Sequence, residues 1–163
     1  MLKTALCFAL AFGALATFAQ DVRPARPGEP LPDIVATDEN GAQHALSLYK
    51  DKSGVVIFFF PKAFTGGCVC ENAGFRDYIG KYNEKGYTIL GVSRDIPETL
   101  VKFKQIYRLN YTLLSDPDDR LAQALGVTGG KRDTVVVGKD GRVTKIFHDV
   151  DAPTHHKKLI NEL

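Results

Sequence analysis

Residues 54–60, Gly-Val-Val-Ile-Phe-Phe-Phe, form an unbroken run of β-branched and aromatic side chains that constrains this chain more than any other stretch. A strand with one face in water alternates polar and apolar residues. A strand without that alternation must be buried on both faces, so the run demands a sheet covered on each side. We take it as the central strand. The chain then passes Pro61 and Gly66-Gly67 into Cys68-Val69-Cys70-Glu71, which puts two thiols where the strand gives way to a helical pattern.

From residue 67 to 84, Ala73, Phe75, Tyr78, Ile79 and Tyr82 recur at helical spacing, and Gly86 supplies the stop. Residues 87–92 read as the next strand, 97–107 as a helix with Pro97 near its start, and 111–114 as a short strand, which is a βαβ rhythm. A helix over 118–125 ends at Gly126. Residues 134–137 and 142–147 form a hairpin across Gly138-Lys139-Asp140-Gly141, and 153–163 a last short helix. Upstream, Pro24, Pro27, Pro30 and Pro32 make an extended lead-in. Residues 34–37 and 43–48 are paired as a small hairpin around Glu39-Asn40-Gly41. The expected fold is α/β, a central mixed β-sheet flanked by helices.

The 163 residues, 44% hydrophobic and 25% charged, suit one globular domain. A net charge of +2, with no basic run longer than two, gives no footprint for nucleic acid or for a polybasic membrane contact. Met1-Leu2-Lys3 precedes an uncharged apolar run over 4–18 and then Ala19-Gln20-Asp21. That run is short of the roughly twenty residues that span a bilayer. Residues 1–19 are therefore expected to be a signal peptide cleaved after Ala19 or, alternatively, Ala16, with 20–163 as the domain. An uncleaved anchor is the competing reading. The mature protein would be exported, periplasmic or otherwise extracytoplasmic, without stable membrane contact. It would lose one charge with Lys3, falling from +2 to +1.

Cleavage removes Cys7 and leaves Cys68 and Cys70. A disulfide across one intervening residue constrains the unfolded chain very little, so the pair points to redox chemistry or a metal rather than to stability. A cysteine at a helix N-terminus is favoured as thiolate by free backbone N–H groups and the helix dipole. In a helix, residues two apart point about 200° from one another, so Cys68 and Cys70 diverge. Several neighbours have bland readings: Thr65 as a helix N-cap, Glu71 as a first-turn acid complementing the dipole, Arg132 as a surface charge between Lys131 and Asp133. Arg76-Asp77 reads as an exposed pair. His148, His155 and His156 lack a Cys or carboxylate at ligand spacing and read as solvated.

Pro61-x-x-x-Thr65-x-x-Cys68 has the spacing of the peroxiredoxin active-site motif. The flanking FFPKAFTGGC…E…GFRD resembles the Q-type, bacterioferritin-comigratory branch of the AhpC/TSA superfamily. The likeness continues through GVSRDIPETLVKF, LLSDPDDRLAQALGV and RDTVVVGKDG, so it spans roughly residues 28–150. It implies a thioredoxin-like fold and a thiol-dependent peroxidase without cofactor or metal. Cys68 would attack the O–O bond of a peroxide and become a sulfenic acid. Thr65 would offer its hydroxyl to the thiolate or the peroxide, and Pro61 with Phe60 would shield the site from bulk water. The resemblance also matches Arg132 to the family's activating arginine and Glu71 to the acid that holds it.

The branch often carries its resolving cysteine five residues after the nucleophile, where this chain has Ala73. Either Cys70 resolves Cys68 after local unwinding, or an outside thiol does. The expected partners are a peroxide and a thiol reductant, a thioredoxin-like protein or a small thiol, with the chain working as a monomer or weak homodimer. Two other classes compete: an exported thiol-disulfide oxidoreductase, which ordinarily separates its cysteines by two residues, and a copper carrier using the Cys-x-Cys sulfurs.

Overall fold

The computed structural model describes residues 23–163, and the expected signal peptide lies outside them. A seven-stranded mixed sheet runs in the order β2-β1-β5-β4-β3-β6-β7. Its strands are β1 (Val35–Asp38), β2 (Gln43–Ala45), β3 (Gly54–Phe59), β4 (Tyr87–Ser93), β5 (Thr112–Ser115), β6 (Thr134–Val137) and β7 (Val143–Phe147). The helices are α1 (Gly66–Glu84), α2 (Pro97–Tyr107), α3 (Arg120–Ala124) and α4 (His155–Ile160). Among the described residues no helix is long and apolar enough to cross a membrane.

All six residues of β3 are buried, as a strand covered on both faces requires. Val55, Ile57 and Phe59 join an aliphatic cluster with Leu46, Leu90, Leu121 and Val135. The alternate residues Val56, Phe58 and Phe60 join an aromatic cluster on the other face with Phe75, Phe103, Tyr111 and Cys68. Phe58 stacks on Phe75 at 4.2 Å between ring centroids and meets Tyr111 edge-on at 5.8 Å. Burying each such ring stabilises the fold by about 1.5–3 kcal/mol, so the aromatic face fixes where α1 lies.

Register brings the functional ends together. β3 is parallel to β4, pairing Phe59 with Val92, and antiparallel to β6, pairing Phe58 with Thr134. The chain leaving β3, the chain leaving β4 and the chain entering β6 therefore meet at one end of the sheet, beyond the C-terminal ends of β3 and β4.

The structure departs from the sequence reading at several points. The last helix, expected over 153–163, spans only His155–Ile160. The second arm of the first hairpin stops at Ala45 and becomes a 3-10 helix, Leu46–Tyr49, because Leu46 turns fully into the core. The helix expected over 118–125 starts only at Arg120: Asp119 is left-handed at φ 56°, and the Asp116 carboxylate accepts the Leu121 and Ala122 N–H groups, both at 3.0 Å. His155 and His156, expected in solvent, are buried where α4 packs on α1. A Cβ on Gly74 would stand 2.3 Å from His156 Nδ1, so this glycine makes room for the ring. The nitrogen of His155, Nε2, lies 3.0 Å from Thr134 Oγ1. Burial lowers His155 to about 4 and also lowers His156, so both are neutral in the core near pH 7. His148 is exposed, with Nδ1 3.3 Å from Asp133 Oδ2.

Candidate active site

Between β3 and α1 the chain makes a short loop at Pro61–Thr65 that is tied to the end of β4. The Asp95 carboxylate accepts the Ala63 N–H at 2.7 Å and the Ser93 hydroxyl at 2.6 Å. Phe64 adopts φ 64°, an unusual backbone for a bulky L-residue, and keeps its ring half-exposed against Phe103 and Tyr107. Pro61 is half-buried beside the fully buried Phe60. Thr65 stands at the N-cap of α1 in extended backbone, yet its hydroxyl makes no cap bond and donates to the Lys62 carbonyl at 2.9 Å.

The first N–H groups of an α-helix have no partner within the helix, and here Gly66, Gly67 and Cys68 occupy those positions. Cys68 has no exposed surface, whereas Cys70, two residues on, is exposed. The two sulfurs therefore face apart, as helical geometry requires. Asn72 Nδ2 donates to the Cys68 carbonyl at 2.9 Å, and the Tyr111 hydroxyl donates to Asn72.

Arg132 comes from the loop entering β6. Its Nη2 lies 3.6 Å from Cys68 Sγ, and its Nε is 3.4 Å from Glu71 Oε2. The second approach is an ion-pair distance without hydrogen-bond geometry: both Glu71 oxygens and Arg132 Nε have no hydrogen-bond partner among the described residues. Burial pushes the Glu71 carboxyl up to about 8, against the opposing pull of Arg132. At neutral pH Glu71 is therefore mostly protonated, and the permanent charge of Arg132 is left to act on Cys68.

Cys68, Arg132, Glu71, Pro61 and Thr65 thus gather beyond the C-terminal end of β3, with Cys70 on the outer side of the same helical turn. Sequence reasoning missed four supporting residues. Asp95 holds the loop, Asn72 holds the Cys68 carbonyl, and Phe64 packs the loop against Phe103 and Tyr107 of α2. Gly67 leaves room for Arg132, because a Cβ there would stand 2.6 Å from Nη2. The adjacent Gly66-Gly67 pair was a visible signal; the partners of Asp95 and Asn72 were not. Among the described residues no group of three or more His, Cys, Asp or Glu is placed to hold a metal ion.

The AhpC/TSA family pattern matches residues 27–146. Peroxiredoxin Bcp of Escherichia coli (strain K12) is 31% identical over 153 residues, covering 87% of this chain and 97% of the relative. Peroxiredoxin Bcp of Bacillus subtilis is 33% identical over 147 residues, covering 83% and 93%. The crystal structure of peroxidoxin BcpB from Mycobacterium tuberculosis superposes with a TM-score of 0.78 at 29% identity, covering 84% of this chain and 95% of that one. A peroxiredoxin Q structure from Xanthomonas campestris gives 0.77 at 26%, covering 83% and 96%. The chain belongs to the AhpC/TSA family, in the Bcp or Q-type branch of the peroxiredoxins.

Proposed function

We propose that Cys68 is the peroxidatic nucleophile of this thiol-dependent peroxidase, with Arg132 as its activating cation. The observation that carries the reading is the Arg132 guanidinium 3.6 Å from a buried sulfur in the first turn of α1. In the reaction the Cys68 thiolate attacks one peroxide oxygen. An S–O bond forms, the O–O bond breaks, and the leaving oxygen takes a proton to depart as water or an alcohol. Arg132 and the positive end of the α1 dipole stabilise negative charge on the sulfur before attack and on the oxygens during it. Glu71, neutral at the working pH, lies alongside Arg132 without cancelling its charge. Thr65 and Pro61 stand in the loop that leads into α1, where the Thr65 hydroxyl turns from Lys62 to an incoming peroxide.

Organic hydroperoxides stand beside hydrogen peroxide as substrates. The half-exposed Phe64 offers an apolar side chain two residues before α1, and a structure of the Xanthomonas campestris bacterioferritin comigratory protein is described in terms of alkyl peroxide reduction. A thiol then returns the sulfenic acid to the thiol. The leader-like layout of residues 1–19 supports an exported, periplasmic enzyme, served there by a thioredoxin-like dithiol or a small thiol. The working state of the enzyme is a monomer or weak homodimer. A copper carrier would need both sulfurs on one ion, and Cys68 and Cys70 face apart.

The test is peroxide consumption with dithiothreitol. Cys68→Ser should reduce the rate to that of dithiothreitol alone while circular dichroism stays that of the wild type. A Cys68→Ser protein working at the wild-type rate would overturn the assignment.

A further inference from the structure

We propose that Cys70 is the resolving thiol for Cys68, and that it reaches Cys68 when the first turn of α1 unwinds after oxidation. The proposal rests on Cys68 being the peroxidatic residue. A peroxide is small enough to enter a tight pocket, but a thiol carried on a folded reductant is not, and Cys68 has no exposed surface. Cys70 is exposed in the same turn. It can therefore carry the oxidation from the buried sulfur to the surface.

Separation does not prevent the bond. Cα atoms two apart in any α-helix are about 5.4 Å apart, within the range that disulfides span. Direction does prevent it, because the two side chains leave the axis about 200° apart. The turn must open, and three features make this the part of α1 that opens. Thr65 gives it no side-chain cap, its hydroxyl being engaged by Lys62. Gly66 and Gly67 are the residues with most backbone freedom to gain on unwinding. Past Cys70, Glu71, Asn72, Gly74 and Phe75 are buried, so the helix beyond is anchored. Oxidation itself supplies the push, since a sulfenic acid adds an oxygen to a sulfur already packed without free surface.

The chemistry balances. The Cys70 thiolate attacks the sulfur of Cys68–SOH, an S–S bond forms, the S–O bond breaks, and hydroxide leaves and takes up the proton as water. A dithiol then reduces the bond by exchange, its own sulfurs becoming a disulfide. A ring this small is strained and readily reduced, which suits a bond made once per cycle.

The experiment treats the reduced protein with one equivalent of hydrogen peroxide, quenches it with an alkylating agent at set times, and weighs the intact chain. The wild type should become about 2 Da lighter and lose both alkylatable thiols. Cys70→Ser should stop about 16 Da heavier, or about 32 Da with excess peroxide. Gly66→Ala separates opening from chemistry, because a Cβ there meets nothing within 4 Å and φ is not positive. It should oxidise at the wild-type rate and form the disulfide about two- to fivefold more slowly, since alanine gains less freedom on unwinding. A wild type holding oxidised Cys68 beside a free Cys70, or a disulfide-linked dimer, overturns the assignment of Cys70. An unchanged rate in Gly66→Ala overturns the unwinding step. If Cys68→Ser still consumes peroxide, the fault lies with Cys68; if it is inert while Cys70 stays free, it lies with Cys70 alone.

Discussion

Asp133 and Glu71 are both buried carboxylates beside Arg132, and the fold handles them in opposite ways. Asp133 is saturated: Oδ1 accepts the Asp149 N–H at 3.0 Å, Oδ2 accepts the Thr128 N–H at 3.2 Å, and its backbone carbonyl accepts the Phe59 N–H at 2.7 Å. Glu71 has no hydrogen bond among the described residues and holds its proton up to about 8. The loop that carries Arg132 is thus fastened by an acid bonded to two backbone N–H groups, while the helix that carries Cys68 places an unbonded, protonated acid beside it. A site needs both: a rigid mount for the cation, and a neighbour that does not neutralise it.

Stability against pH should break or uphold the Glu71 half of this comparison, and the expected effect is the largest. An unfolded Glu71 loses its proton near 4.5, the folded one near 8. Between those values the unfolded chain binds fewer protons, so the Glu71 contribution destabilises the wild type progressively as pH rises from 4.5 to 8, by a total on the order of 4 kcal/mol. Glu71→Gln removes that slope. His155 works in the other direction, its pKa lowered to about 4, so its contribution is lost as pH falls through 6.5 towards 4; both proteins share it, and it cancels in the difference. Urea midpoints of the two proteins at pH 5, 6.5 and 8 should diverge steadily in favour of Gln. Parallel curves would mean that Glu71 is ionised in the fold and that Arg132 is neutralised.

Asp133→Ala tests the other half. It strips two backbone N–H groups of their acceptor and should cost about 3 kcal/mol, read as a lower urea midpoint at unchanged m. Its reaction with peroxide should slow as well, because the same bonds hold the strand entry from which Arg132 projects. A full loss of stability without any loss of rate would show that Arg132 is positioned from the Glu71 side.

Much of this arrangement was legible in the sequence, because it rests on local patterns. The run at 54–60 could only be a doubly buried strand, and helix periodicity with Gly86 as a stop bounded α1 almost to the residue. Cys68 was singled out by the resemblance that its spacing from Pro61 and Thr65 carries, and the fold places it buried in the first turn of α1. What could not be read depends on tertiary partners. His156 looks like a solvated residue until Gly74, 82 positions earlier, proves to be the gap that admits its ring, and His155 does so until its Nε2 meets Thr134 Oγ1. Asp95 carries no local sign that its carboxylate will bind Ala63, 32 residues away. Glu71 and Arg132 were matched as a pair, but that Glu71 would stand unbonded and protonated followed only from its burial.

The smallest effect isolates the approach of Arg132 to the sulfur. Gly66 and Gly67 are adjacent in the first turn of α1, neither has a positive φ, and the backbone cost of alanine is similar at each. Their surroundings differ: a Cβ at 66 meets open space, whereas one at 67 would lie 2.6 Å from Arg132 Nη2 and 3.5 Å from its Cζ. The flexible guanidinium can yield, so Gly67→Ala should fold with wild-type stability and push the cation away from Cys68. The second-order rate of Cys68 oxidation should fall about tenfold, some 1.4 kcal/mol of transition-state stabilisation, while Gly66→Ala oxidises at the wild-type rate. Equal oxidation rates in the two variants would mean that the 3.6 Å contact is incidental to the chemistry. A drop confined to Gly67→Ala would tie the rate to the position of one guanidinium, on a loop that Asp133 fixes and beside an acid that leaves its charge free.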